Sequence, residues 1–271
     1  EERKAVGRGF KLFYLGAPLT SFVKKSEASG WANPPLSFSK PIEAKLETYG
    51  LPIYAYIYDS NGDKKTNYDS IVFSLDKSKQ IANLKQGYWS DWTSVQLKFK
   101  DVEFDSNIKI KVIKLWDSGN FRVRVLYNNL NRLITEPSNI AKELTAEVGP
   151  MVDFADNWPP QLIYEYEDKE TFFEETRMSL EWHKNAVSVI YEKYKPDVFL
   201  QDIYTPNQML ESRWWHKFID TTRENYSVEK AEEAWKDILE MYKGLDAIIG
   251  EGIKNTDENT YIVLSSDHGI C

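Results

Sequence analysis

Two apolar periods divide this chain. From residue 50 to residue 134 the apolar side chains tend to recur at every second position, the spacing of strands that bury one face. Residues 53–58 (IYAYIY) alternate, and residues 71–75 form a short apolar run. Residues 95–99, 108–113 and 121–127 alternate again. Ile108, Ile110 and Val112 share one face, with Lys109 and Lys111 on the other. Phe121, Val123 and Val125 are set in the same way against Arg122 and Arg124. Asn61-Gly62 marks a tight turn, and Ser118-Gly119-Asn120 marks another. The pattern predicts consecutive antiparallel strands in a meander or small sheet, with the lysines and arginines on a solvated face.

Beyond residue 160 the period changes to that of a helix. Met178, Trp182 and Val189 place a stripe along residues 169–194. Ala231, Trp235, Ile238, Leu239, Tyr242, Leu245 and Ile249 do so along residues 228–253, with Ser227 as N-cap and Gly250 and Gly252 at the end. Residues 10–15 (FKLFYL) read as a strand, residues 198–204 (VFLQDIY) as a core strand, and residues 261–264 (YIVL) have the composition of a buried parallel strand. Strand, helix, helix, strand is the order of a parallel crossover. The expected fold class is therefore α/β: a mostly parallel sheet flanked by helices, together with an antiparallel β-rich region. Residues 26–41, with Pro34-Pro35, read as an extended loop whose Trp31 plugs the core. Residues 136–160, which carry four prolines, read as an irregular return to the main domain.

Composition narrows the function. The 271 residues carry 34 basic and 42 acidic side chains, a net charge of −8. That balance argues against a binder of nucleic-acid backbones. One cysteine, Cys271, leaves no internal disulfide framework. No run of about eighteen apolar residues is present to span a membrane. Nine Trp, sixteen Tyr and thirteen Phe favour β-rich packing and also suit a ligand cleft.

The chemistry concentrates in the last eleven residues, YIVLSSDHGIC. Asp267 and His268 follow the apolar run where a strand would give way to a loop, and open α/β sheets bind ligands there. A hard carboxylate oxygen beside an imidazole nitrogen suits zinc or manganese, and Gly269 permits a tight turn behind them. The same tripeptide also serves as a capped loop without chemistry. His183, between Trp182 and Lys184, has no partner at metal spacing and reads as a partly exposed helix residue.

The string VLSSDHGI resembles the Ser-Asp-His-Gly signature of the alkaline phosphatase superfamily, most closely its type I phosphodiesterase and nucleotide pyrophosphatase branch. The resemblance implies an alkaline-phosphatase-like core that this chain holds incompletely. It also implies two divalent metal ions (Zn, Mn or Mg) and a small phosphate-ester substrate. Asp267 and His268 would bind one ion. Asn207 and Glu211, after the 198–204 run, fall where the family places the Asp and His that hold the other. Their oxygens suit Mg, Ca or Mn better than zinc, and Asp202 and His216 are alternative ligands. The family's Thr or Ser nucleophile follows an Asp. No Asp precedes Thr20, the first being Asp59, so the nucleophile is expected outside this chain, which alone would have little or no turnover. The implied organisation is residues 1–57 as part of the core with a loop, 58–134 as an inserted β-rich cap, and 135–271 as the core with two long helices. Trp89, Trp92 and Trp116 are the cap residues expected to line a substrate cleft. A non-catalytic binding module of the same fold, or another branch such as a sulfatase, phosphonate hydrolase or mutase, is the alternative.

Overall fold

The computed structural model describes residues 10–14, 23–48, 50–99, 102–128, 135–152, 166–203, 209, 215–266 and 268–269. The chain divides into two compact units, Glu1–Ile134 and Thr135–Cys271. Tyr58, the expected start of a separate cap, is the last residue of a central strand in the first unit.

The first unit holds nine strands among its described residues: β1 (Phe10–Tyr14), β2 (Lys25–Glu27), β3 (Ile42–Thr48), β4 (Leu51–Tyr58), β5 (Ser70–Ser74), β6 (Gln80–Lys85), β7 (Thr93–Phe99), β8 (Val102–Leu115) and β9 (Phe121–Tyr127). They form a four-stranded sheet, β1-β9-β8-β7, and a five-stranded sheet, β2-β3-β4-β5-β6. Every strand pair is antiparallel. This overturns the expected fold class: the sheets are antiparallel, and no parallel pair occurs among the described residues. The sheets share one core, in which Leu46, Ile53, Ile57, Ile71 and Phe73 meet Leu97, Ile110, Val112, Phe121, Val123 and Val125. The alternation in β8 and β9 marks this inward set because burying one face of a pleated strand selects every second residue.

The opposite face of β8 and β9 departs from expectation. Lys111 (3% exposed), Arg122 (3%) and Arg124 (0%) are buried. Alternation says which side a residue takes and not what covers that side. The register slips between Val112 and Lys114, and this bulge keeps Lys114 opposite Arg122, on the face shared by Lys111 and Arg124. Asn61-Gly62 is also no two-residue turn, since eleven residues separate β4 from β5. Asp69 accepts from Ser60 N at 2.9 Å and Ser60 Oγ at 2.7 Å, closing a wider loop.

The second unit is helical: α1 (Ile140–Glu147), α2 (Tyr166–Tyr194), the short α3 (His216–Ile219) and α4 (Val228–Lys254). Ala231, Ala234, Ile238, Met241 and Ile248 are the buried residues of α4. A Cβ added at Gly244 would meet Leu180 Cδ1 at 2.4 Å, so this glycine sets how closely α4 approaches α2. Trp215, fully buried, packs on Phe172 and Phe173 of α2, with centroids 5.4 and 5.6 Å away. Of the three apolar runs read as strands, residues 10–14 form β1, antiparallel to β9, and the other two are not strands here. Residues 198–203 and 261–264 lack strand pairing. Val198 (75%), Leu200 (89%), Tyr261 (95%), Val263 (81%) and Leu264 (69%) are exposed. Apolar composition favours burial and supplies no backbone partner, and an unpaired run does not make a sheet.

Candidate functional site

The residues singled out for chemistry fall into three places. At the end of the second unit, Ser266, His268 and Gly269 are exposed and irregular. The Ser266 hydroxyl donates to the His268 carbonyl at 2.5 Å, closing the loop on itself. His268 Nδ1 lies 2.9 Å from the Gly269 carbonyl. A ring nitrogen facing a carbonyl can act only as the donor in that contact. Asp267, Asn207 and Glu211 lie outside the described residues. Among the described residues no group of three or more His, Cys, Asp or Glu side chains is arranged to hold a metal ion.

The alternative ligands lie elsewhere. His216 opens α3 and is half-buried. Asp202 is exposed, and the nearby imidazole is His183 of α2, to which Gln201 is tied: Gln201 Nε2 sits 3.2 Å from His183 Nδ1 and 3.3 Å from its carbonyl. Burial pushes the His183 pKa down, and the Asp202 charge opposes this without reversing it. His183 is the partly exposed helix residue that was expected, and it also holds the 195–203 segment through Gln201. Nothing in its sequence neighbourhood gives this away, because Gln201 lies eighteen positions off.

The third place is the cationic side of the four-stranded sheet. Trp92 lies under Lys109 (5.6 Å), Trp89 under Lys111 (5.7 Å) and Trp116 under Lys114 (5.9 Å). Trp89 also bridges to Lys111 through the backbone. All three indoles are half-buried. Burial lowers the Lys109 pKa, and Asp91 opposes it. Alternating lysines at 109 and 111 beside an aromatic run at residues 87–92 were the signal for cation–π pairs, although sequence spacing alone does not pair one ring with one ammonium.

On the five-stranded sheet, Trp31 is a plug. Its indole donates to Glu43 Oε2 at 2.7 Å, and its ring lies 5.2 Å from that of Tyr56. Lys77 reaches both Glu43 oxygens at 2.8 Å and lies 5.1 Å from the Tyr54 ring. Burial acts to raise the Glu43 pKa, but the bonds from Lys77, Trp31 and Ser29 outweigh it and the pKa is lowered. This polar cluster closes the sheet's outer face over Tyr56 and Tyr58 and was not foreseen from the sequence, because Glu43 and Lys77 are 34 positions apart.

No helix among the described residues is long and apolar enough to cross a membrane. Compared with protein families, curated proteins and solved structures, the chain finds no match in any of the three.

Proposed function

We propose that this chain is part of a metal-dependent phosphoric-ester hydrolase of the phosphodiesterase or nucleotide pyrophosphatase kind, with Asp267 and His268 as ligands of one divalent ion. The observation that carries the reading is the Ser265-Ser266-Asp267-His268-Gly269 sequence. His268 lies on an exposed loop, with Nδ1 2.9 Å from the Gly269 carbonyl. A carboxylate and an imidazole nitrogen side by side match zinc or manganese. Asn207 and Glu211 add oxygen donors for a second ion, of the hard kind. A bound divalent ion would polarise a phosphoryl oxygen and favour a hydroxyl in its ionised form. The part of this chain's own residues is to hold and orient: Ser266 fixes the loop carbonyl of His268, and Gly269 fixes its ring. No residue of the 271 is assigned as nucleophile.

The test is calorimetric titration of the chain with zinc and with manganese, beside Asp267→Ala and His268→Ala. The expected result is saturable binding that each variant weakens by about a hundredfold or more, since loss of a direct ligand should cost at least as much as loss of its supporting partner. Equal affinity in all three proteins would overturn the assignment. A second reading, a binding module without chemistry, draws on the indole–ammonium pairs at Trp89, Trp92 and Trp116. Glycan or anion binding that needs no metal and is lost in Trp92→Ala would favour it.

A further inference from the structure

We propose that Asn61 is a site of spontaneous deamidation, a self-inflicted covalent modification of the loop between β4 and β5. Asn61 is the one asparagine in the chain followed by glycine. Both residues are exposed and sit in irregular backbone. The Asn61 amide N–H donates to Asp59 Oδ1 at 3.0 Å. Among the described residues neither the Asn61 side chain nor the Gly62 N–H is engaged in a hydrogen bond. The electrophile and the nucleophile of the reaction are thus adjacent and unrestrained.

Packing favours a glycine after Asn61. A Cβ built on Gly62 would lie 3.0 Å from Cε1 and 3.2 Å from Cζ of Phe38, so a side chain at this position has to displace the ring. The residue that removes that clash is also the one that lets the backbone nitrogen reach the asparagine carbon. The other asparagines lack this combination. Asn33 precedes Pro34, which has no N–H to attack. Asn83, Asn107 and Asn185 are held in β6, β8 and α2. Asn225 and Asn259 are exposed like Asn61, but a tyrosine and a threonine follow them.

The chemistry balances with water as the only co-reactant. The Gly62 backbone nitrogen loses its proton and bonds to Asn61 Cγ. The side-chain carbon–nitrogen bond breaks, and ammonia leaves with that proton. Water then opens the five-membered imide at either carbonyl, giving an aspartyl or an isoaspartyl residue. The isoaspartyl product lengthens the main chain by one carbon where the loop is clamped. Phe38 N–H donates to the Asp59 carbonyl at 2.9 Å, and Ser39 Oγ donates to Asp59 Oδ2 at 2.5 Å. The new carboxylate also joins a loop that already holds Asp59, Asp63 and Asp69. The modification therefore loosens the contact between the 37–39 segment and the β4–β5 loop.

The experiment ages the 271-residue chain in mildly alkaline buffer and maps its peptides by mass spectrometry, with enzymatic methylation to detect isoaspartate. The expected rate at Asn61 is about tenfold above that at Asn225 or Asn259, because glycine frees the attacking nitrogen. Asn61→Gln, whose longer side chain closes a less favourable ring, should lose the isoaspartate signal. It should also keep its melting temperature on ageing while the parent's falls. Conversion at Asn225 or Asn259 ahead of Asn61, isoaspartate persisting in Asn61→Gln, or equal melting of the aged proteins would overturn the proposal.

Discussion

The helical unit is stapled by a buried ammonium. Lys169 of α2 has a side chain only 8% exposed and pairs with Asp237 of α4 at 2.6 Å and with Glu233 at 3.1 Å. Asp237 also accepts from the indole of the fully buried Trp215 at 2.9 Å. Replacing Asp237 by alanine leaves the ammonium with the Phe173 ring and with Glu233, whose side chain is 67% exposed, and leaves the indole N–H unanswered. Breaking a buried pair costs about 3–5 kcal/mol. The surviving Glu233 contact argues for the lower end, and the orphaned donor adds about 1 kcal/mol, so the expected loss is about 3–4 kcal/mol. With a urea slope of about 2 kcal/mol/M, the midpoint of the helical circular-dichroism transition should fall by about 1.5–2 M. Asp237→Asn keeps an acceptor for Trp215 and should lose about half as much. Lys169→Met combined with Asp237→Leu removes both charges and should recover about 2 kcal/mol of the single-variant loss.

The pH dependence has a definite sign. Burial works to lower the Lys169 pKa, but the hydrogen bonds and charges of Asp237 and Glu233 outweigh it and raise the pKa above 10.5. A raised folded pKa contributes stability that is fully present below the unfolded value and is lost as pH rises through the folded one. The gap between parent and Asp237→Ala should thus stay constant through neutral pH and narrow only above 10.5. A cost below about 1 kcal/mol for Asp237→Ala, or a double variant no better than the single, would refute the stapling argument.

Two predictions concern the β-rich unit. Gly119→Ala would put a Cβ 2.4 Å from Ile42 Cδ1 and 3.0 Å from Tyr68 Cδ2, at a φ of +73° that L-residues resist. It should cost about 2–4 kcal/mol in thermal unfolding, and an unchanged melting temperature would show that Ile42 and Tyr68 yield freely. Burial acts to raise the Asp69 pKa, but bonds from Ser60, Lys85 and Ser70 bring it from 3.8 down to about 2. Its stabilisation is therefore present above 3.8 and lost as pH falls toward about 2, and Asp69→Asn should flatten the acid limb of the stability curve in that window.

How far the sequence disclosed this molecule depends on what each residue's partners are. The inward faces of β8 and β9 were legible because burial of one strand face writes itself as period two. The long helices were legible from their 3.6-residue period, but the buried face of α4 was not: Trp235, Leu239 and Tyr242, read in its apolar stripe, are exposed, and Ala231, Ala234, Ile238, Met241 and Ile248 form the buried set. Lys111, Arg122 and Arg124 were misjudged as solvated, since the period that puts them opposite the core is the same whether that side is wet or covered. Tyr261–Leu264 was misjudged in the other direction: four β-forming residues have one composition whether they are paired in a sheet or exposed. The distinction lies in backbone partners that composition does not name.

The same limit applies to the chemistry. Asp267 and His268 were nominated from residue type and order, which are local. A ligand set is not local, and neither are the clusters that the structure adds. Glu43 meets Lys77 across 34 positions, Gln201 meets His183 across eighteen, and Trp215 meets Asp237 across 22. Each of these contacts joins segments that the fold brings together, so each depends on the antiparallel pairing and the α2–α4 packing being in place. A residue can be nominated for chemistry by its kind and its neighbours, but its partners are set by topology. This is why the metal titration of Asp267 and His268, rather than any further inspection of their motif, decides what the end of this chain does.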